Sequence, residues 1–208
     1  TASAANIRTV AADSAILAAA AEEFREKQVQ DAYSVRCAPQ VAGGFRDTLT
    51  HAEQVAVREL AAAVDNPVVA LDGRVTSNGN FHGAPVAYVL DFLAIVVADL
   101  ASISERRTDR FLDTARNRGL NAFLADDPGV DSGHMIAQYS QAGIVHELKR
   151  NATPASADSI PSSAMQEDHV SMGWAAARKL RRSVDGLQRV LAVEVLTCLL
   201  YTSDAADE

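Results

Sequence analysis

Ala84-Pro-Val-Ala-Tyr-Val-Leu-Asp-Phe-Leu-Ala-Ile-Val-Val-Ala-Asp-Leu-Ala-Ser-Ile-Ser-Glu-Arg-Arg-Thr-Asp-Arg-Phe-Leu112 is the stretch that decides the fold. Val86, Val89, Leu93, Val96, Leu100 and Ile103 recur every three or four residues, the period of an α-helix. Tyr88, Phe92 and Ile95 make the other faces apolar too, and a helix apolar most of the way round belongs inside a bundle. At a rise of ~1.5 Å per residue such a helix spans roughly 40 Å. Its longest apolar run, Tyr88 to Ile103, is interrupted by Asp91 and Asp99, so it is expected to be buried in protein and not to span a membrane.

Helices are expected on both sides of this spine. The first runs from about Ile7 to Lys27, with Ile7, Val10, Leu17, Ala21 and Phe24 on one seam. A second opens at Thr50-His-Ala-Glu53, a capping-box pattern, and stops before Asn66-Pro67 because proline disfavours helical backbone at the residue before it. Asp72-Gly73 is placed to turn a short hairpin between them and the spine. A fourth helix follows Ser132 and ends near Asn151. A fifth runs from about Ala164 to Thr197, with Trp174, Ala177, Val184, Leu187 and Leu191 as its seam and Arg178 to Arg182 as a solvated basic face. The expected fold is all-α: an elongated bundle of long helices, completed by other subunits, with residues 1–197 as one domain. Segment 198–208 breaks the helix pattern and resembles translated sequencing adapter, so it is expected to be an artefactual, disordered tail.

Composition narrows the function classes. The chain of 208 residues is 48% hydrophobic and 22% charged, large enough to bury a real core. A net charge of −8 argues against nucleic acid or anionic membrane as partner, since both call for clustered Lys and Arg. Cys37 and Cys198 form no disulfide framework or zinc spacing, and the five histidines never form a ligand pair. No metal is expected. Residues 1–21 lack the basic start of a signal peptide, and a cytoplasmic location is the expectation.

Three polar loops carry residues that structure alone does not easily explain. In Gln30-Asp-Ala-Tyr-Ser-Val-Arg36, the residues Gln30, Tyr33 and Arg36 are three apart, so one helical turn would present all three on one side. An amide, a phenol and a guanidinium together suit a carboxylate or oxyanion, although a solvated helix end would read the same way. Asn78-Gly-Asn-Phe-His-Gly83 has the small residues that allow close backbone approach to a ligand, or simply a turn. In Ser163-Ala-Met-Gln-Glu-Asp-His-Val-Ser-Met-Gly173, Ser163 and Gln166 fit a capping box that would put Glu167 in the first turn of the last helix.

Together, Gln-Asp-x-Tyr-Ser-x-Arg-Cys-x-Pro-Gln, Gly-Asn-Phe-His and Gln-Glu-Asp-His-Val-Ser-Met-Gly closely resemble the histidine ammonia-lyase family in order and spacing. So do Asp65-Asn-Pro67, Leu100-Ala-Ser-Ile-Ser-Glu-Arg-Arg107, Met135-Ile-Ala-Gln138 and Pro154-Ala-Ser-Ala-Asp-Ser-Ile-Pro161. The resemblance implies a homotetramer of long helices that eliminates ammonia from L-histidine to give urocanate. It also implies a methylidene-imidazolone electrophile, which the family makes from an Ala-Ser-Gly triplet. This sequence contains no such triplet. The resemblance thus implies that the chain is a carboxy-terminal part, with the triplet upstream of Thr1, and that alone it is inactive.

By the same resemblance, Arg36 grips the substrate carboxylate, and Tyr33 and Gln30 hydrogen-bond around electrophile and substrate. Phe81 lines the pocket with Asn80 and His82 beside it, and Glu167, next to Gln166, meets the imidazole or amine of the substrate. The family usually has Asn where this chain has Met165. Three other readings compete: a phenylalanine or tyrosine lyase or aminomutase with the same electrophile, a fumarase-like bundle, and a helical assembly protein without activity. Cys37 after Arg36, His82 and Gln166 to His169 favour the histidine branch, and the characteristic Lys of the fumarase loop is absent.

Overall fold

The computed structural model describes residues 2–15, 17–18 and 30–204. Its helices are α1 (Ala2–Ala11), α2 (Tyr33–Arg36), α3 (Ala38–Leu60), α4 (Ala84–Leu112), α5 (Met135–Asn151) and α6 (Gly173–Asp204). The long helices α3, α5 and α6 all pack on α4, so the expected all-α bundle around this spine is what forms. A two-stranded antiparallel hairpin, β1 (Val68–Val69) and β2 (Val75–Thr76), pairs Val68 with Thr76 and Val69 with Val75. Gly73 turns it at φ +84°, where a side chain would be strained.

Local punctuation explains where α4 starts. Gly83 takes φ +73° just ahead of it, and Pro85 stands in the first turn, where its missing N–H costs nothing. The same logic corrects the second helix. With Pro39 in its first turn, α3 begins at Ala38, so Thr50 lies mid-helix. A capping box there has no orphan N–H to satisfy. The first helix is shorter than expected: α1 ends at Ala11, and the Ser14 hydroxyl accepts the Leu17 N–H as a new segment opens. Ala21, Phe24 and the stretch to Lys27 lie outside the described residues.

The core is built from α4, α5 and α6: Val97, Ala98, Ala101, Val145, Leu148, Leu187 and Val190 are buried together, with Phe45 of α3 packed against them. The face of α4 that packs differs from the seam of large residues. Val89 of that seam is buried, with Ala87, Ala94, Val97, Ala98, Ala101, Ser104 and Thr108, whereas Leu93, Val96, Leu100 and Ile103 are only half-buried. Small side chains let neighbouring axes come close, so they take the tightest contact. Tyr88, Phe92 and Ile95 remain 57%, 45% and 44% exposed.

The last helix does not stop at Thr197: α6 continues through Asp204, so 198–204 extend the helix and do not break its pattern, and its seam is likewise shifted. Ala176, Ser183, Leu187, Val190 and Thr197 face the bundle at three-four spacing, while Trp174 is 78% exposed. Gly186 sits where a Cβ would stand 2.5 Å from the Cδ1 of Leu148, which marks a close approach of α5 and α6. Gln141 of α5, fully buried, donates its amide to the Val190 carbonyl of α6 at 2.9 Å.

Candidate active site

The first polar loop enters through Asp31, which pairs with Arg118 at 3.7 Å, and turns once as α2 before Cys37 leads straight into α3. Arg36 lays its guanidinium 4.7 Å above the Tyr33 ring, a cation–π contact between residues three apart. Tyr33 is 70% exposed. Gln30 precedes the helical turn, so the shared helical face holds for Tyr33 and Arg36 only. From α4, Arg107 donates to the carbonyl of Ser34 at 3.2 Å.

The second loop is tied to the chain that precedes it. The Oδ1 of Asn66 accepts the Ser77 hydroxyl at 3.2 Å and the Asn78 N–H at 3.0 Å. Asn78 donates to the Asp65 carbonyl at 2.8 Å, and Asn80 donates to the Ala63 carbonyl at 3.0 Å. Asn80–His82 then forms a single tight turn that delivers Phe81, 56% exposed, and His82 to the start of α4.

The third loop is anchored by Asp91, a buried carboxylate of α4. It accepts the N–H groups of Ala155 and Ser156, the Ser156 hydroxyl and the Lys179 ammonium. Burial pushes this carboxyl up, but the hydrogen bonds from Ser156, Lys179 and Ala155 outweigh it and hold it below the usual carboxylate range. Lys179, expected on a solvated basic face, is therefore turned inward. Further on, Ser162 and Glu167 pair across an antiparallel bridge around Ser163, Ala164 and Met165, whose φ values are +52°, +55° and +70°. Left-handed backbone cannot continue into a right-handed helix, so α6 starts at Gly173 and Glu167 lies ahead of it. That corrects the capping-box placement.

Glu167 is exposed, and its Oε2 accepts the hydroxyls of Ser162 and Ser163, each at 2.7 Å. These two bonds lower its pKa, so it is ionised at neutral pH. Gln166 sits beside it, its N–H donated to the Ser163 carbonyl at 3.2 Å. The loop closes on the second one through His169, whose ring stacks on His82 at 5.2 Å between centroids with Nδ1 and Nε2 3.2 Å apart. Together they line a pocket with Tyr88, Asp158 and Ser171.

The structure thus gathers the expected residues in two groups. Asn80, Phe81, His82, Gln166 and Glu167 belong to loops joined at the N-terminal end of α4, while Tyr33 and Arg36 sit on a turn held by Arg107 near its other end. Between Ala84 and Arg107 the helix rises about 35 Å. Sequence reading missed His169, Asp91 and Arg107 as neighbours of the site, because none of these contacts is local in the chain. Among the described residues no cluster of three metal-ligating side chains forms.

The family model for aromatic amino acid lyases matches residues 1–203. The chain belongs to the aromatic amino acid lyase family. Among curated relatives of this lyase chain, a histidine ammonia-lyase of Streptomyces coelicolor is 78% identical over 168 residues, 81% of this chain and 33% of the relative. That of Geobacillus thermodenitrificans is 51% identical over 174 residues, covering 84% and 34%. The chain therefore spans about a third of the length of these relatives. Of solved lyase-family structures, histidine ammonia-lyase from Trypanosoma cruzi matches at a TM-score of 0.79 and 47% identity, over 82% of this chain and 34% of that one. Phenylalanine aminomutase from Pantoea agglomerans matches at a TM-score of 0.87 and 32% identity, over 98% and 43%. One fold thus serves both branches.

Proposed function

We propose that this lyase segment serves histidine ammonia-lyase, the non-oxidative elimination of ammonia from L-histidine to urocanate. The observation that carries the reading is the 78% identity to a curated histidine ammonia-lyase, far above the 32% shared with an aminomutase of the same fold. Residues 1–197 would form the central and C-terminal helical part of the lyase domain. A cytoplasmic enzyme fits Cys37 and Cys198 as thiols and not a disulfide.

In this reading Arg36 takes the substrate carboxylate through its forked N–H groups, and Tyr33 beside it supplies a phenol within the same turn. Glu167, ionised and held by two serines, accepts from the imidazole N–H or the amine of the substrate. Phe81 offers an apolar wall, with Asn80 and His82 beside it and Gln166 next to Glu167. The methylidene-imidazolone of the family would supply the electrophile that makes the amine a better leaving group. An amide, a phenol and a guanidinium in the Gln30–Arg36 loop are the donors that its carbonyl and the substrate carboxylate would take, so the residues fit it.

A free amino acid is far too small to touch two groups about 35 Å apart along one helix. The site would therefore be completed by other copies of the chain in a homotetramer. The apolar faces of α4 and α6 left open by this chain, Phe92, Ile95 and Trp174 among them, support that assembly. The test is the complete enzyme carrying this segment, assayed for urocanate from L-histidine and for elimination from L-tyrosine and L-phenylalanine. Histidine should be preferred, and Glu167→Gln should lower its turnover by about 100-fold with the melting temperature unchanged. Preference for tyrosine, or a Glu167→Gln enzyme as fast as the parent, would overturn the assignment.

A further inference from the structure

We propose that Arg107 is a positioning residue for the reaction, holding the Tyr33–Arg36 turn, and with it the carboxylate grip of Arg36, through the backbone of Ser34. The inference rests on the reading of Arg36 given above. It assigns a use to the Ser104-Glu-Arg-Arg107 stretch, which the reaction itself does not employ.

The turn has little else to fix it. It is a single helical turn, too short to sustain itself, and no side chain caps its start. Tyr33 and Val35 are 70% and 50% exposed, so packing contributes little there. The Asp31–Arg118 pair ahead of it is 3.7 Å long between exposed side chains, and such pairs hold geometry weakly. At its far end the turn runs through Cys37 into α3, which fixes one side. The Ser34 carbonyl is the fixed point within the turn, and Arg107 Nη1 holds it at 3.2 Å.

Arg107 is itself locked. Its Nε and Nη2 both donate to the Glu194 carboxylate of α6, the second at 2.9 Å. Glu194 Oε2 also accepts the hydroxyl of Ser104, a fully buried residue one turn back along α4, at 2.5 Å. The two charged side chains are only 23% and 15% exposed. A planar fork clamped along its Nε–Nη2 edge fixes where Nη1 stands, which a lysine could not reproduce. Arg107 thus transfers the rigidity of the α4–α6 contact to a turn that lacks its own.

The test uses the complete enzyme carrying this segment and two ligands: imidazolepropionate, which has a carboxylate, and methylimidazole, which has none. Titration calorimetry on Arg107→Gln should show imidazolepropionate bound about tenfold or more weakly and methylimidazole unchanged. A merely structural role would weaken both. Histidine kcat/KM should fall by about 100-fold, as a misplaced binding group costs, and Arg107→Lys should recover only part of it. In an Arg36→Ala background, Arg107→Gln should add little, because its effect passes through Arg36.

Should Arg107→Gln fail to fold, Glu194→Gln, which loosens the clamp and keeps the guanidinium, should give a smaller loss with the same ligand selectivity. Equal weakening of both ligands, no weakening of either, or losses that multiply in the double variant would overturn the proposal. A parent enzyme that neither binds imidazolepropionate nor forms urocanate would instead defeat the functional reading beneath it.

Discussion

Asp91→Ala removes the acceptor on which the third loop hangs. In the parent, this carboxylate, 4% exposed, takes the Ala155 N–H at 3.1 Å, the Ser156 N–H at 2.7 Å, the Ser156 hydroxyl at 2.6 Å and Lys179 at 3.0 Å. Breaking one side of a buried ion pair typically costs ~3–5 kcal/mol. Lys179 is 22% exposed and also donates to the Thr153 carbonyl, so it can recover some solvation, which points to the lower figure of ~3 kcal/mol. For a chain of this size each kcal/mol lowers the melting temperature by roughly 2–4 °C, so a fall of about 6–12 °C is expected. Asp91→Asn keeps the shape and should cost about half as much.

The pH dependence follows from the depressed pKa of Asp91. A carboxylate with a lower pKa folded than unfolded stabilises fully above the unfolded value, ~3.9, and loses that contribution as pH falls through the folded value. Melting curves from pH 7 down to pH 3 should therefore show a steeper acid limb in the parent than in Asp91→Asn. An Asp91→Ala protein that melts within about 2 °C of the parent, with the same acid limb, would refute the anchoring role.

Three other perturbations are equally direct. Arg36→Ala in the complete enzyme should lose about two decades in kcat/KM, as loss of a positioned binding group costs, and Arg36→Lys should recover only part; steady-state kinetics decide it. Met165→Asn should raise the melting temperature by a few degrees, because φ +70° suits Asn better than an unbranched apolar side chain; a lower value would show that the Met165 side chain matters more than its backbone. Gly186→Val should cost about 1–3 kcal/mol by overpacking against Leu148 and Ile144, read by urea denaturation, whereas the same change at Gly44, where no atom lies within 4 Å of the added Cβ, should lack this clash.

The sequence by itself determined the elements whose limits are written locally. Gly83 and Pro85 open α4 where the periodicity of its apolar residues begins, Asp72-Gly73 turns the hairpin, and α5 ends at Asn151 as its pattern does. The family was legible too, because its three polar loops are contiguous strings that need no neighbour to be read. Tertiary structure alone decided which helical face is the inner one. Periodicity marks the apolar sides of α4, and Val89 is buried as it indicates, but the contact otherwise takes mainly alanine, serine and threonine and leaves Phe92 and Ile95 outside. Capping patterns at Thr50 and Ser163 failed for a related reason: a cap works only at a free helix end, and the proline and left-handed residues nearby put those ends elsewhere. Nor could the chain order show that Arg107 holds Ser34 or that Asp91 holds Ser156, since those partners meet only when α4 packs. The separation of the two polar groups along α4 is likewise a property of the folded helix, whose rise per residue converts sequence distance into about 35 Å.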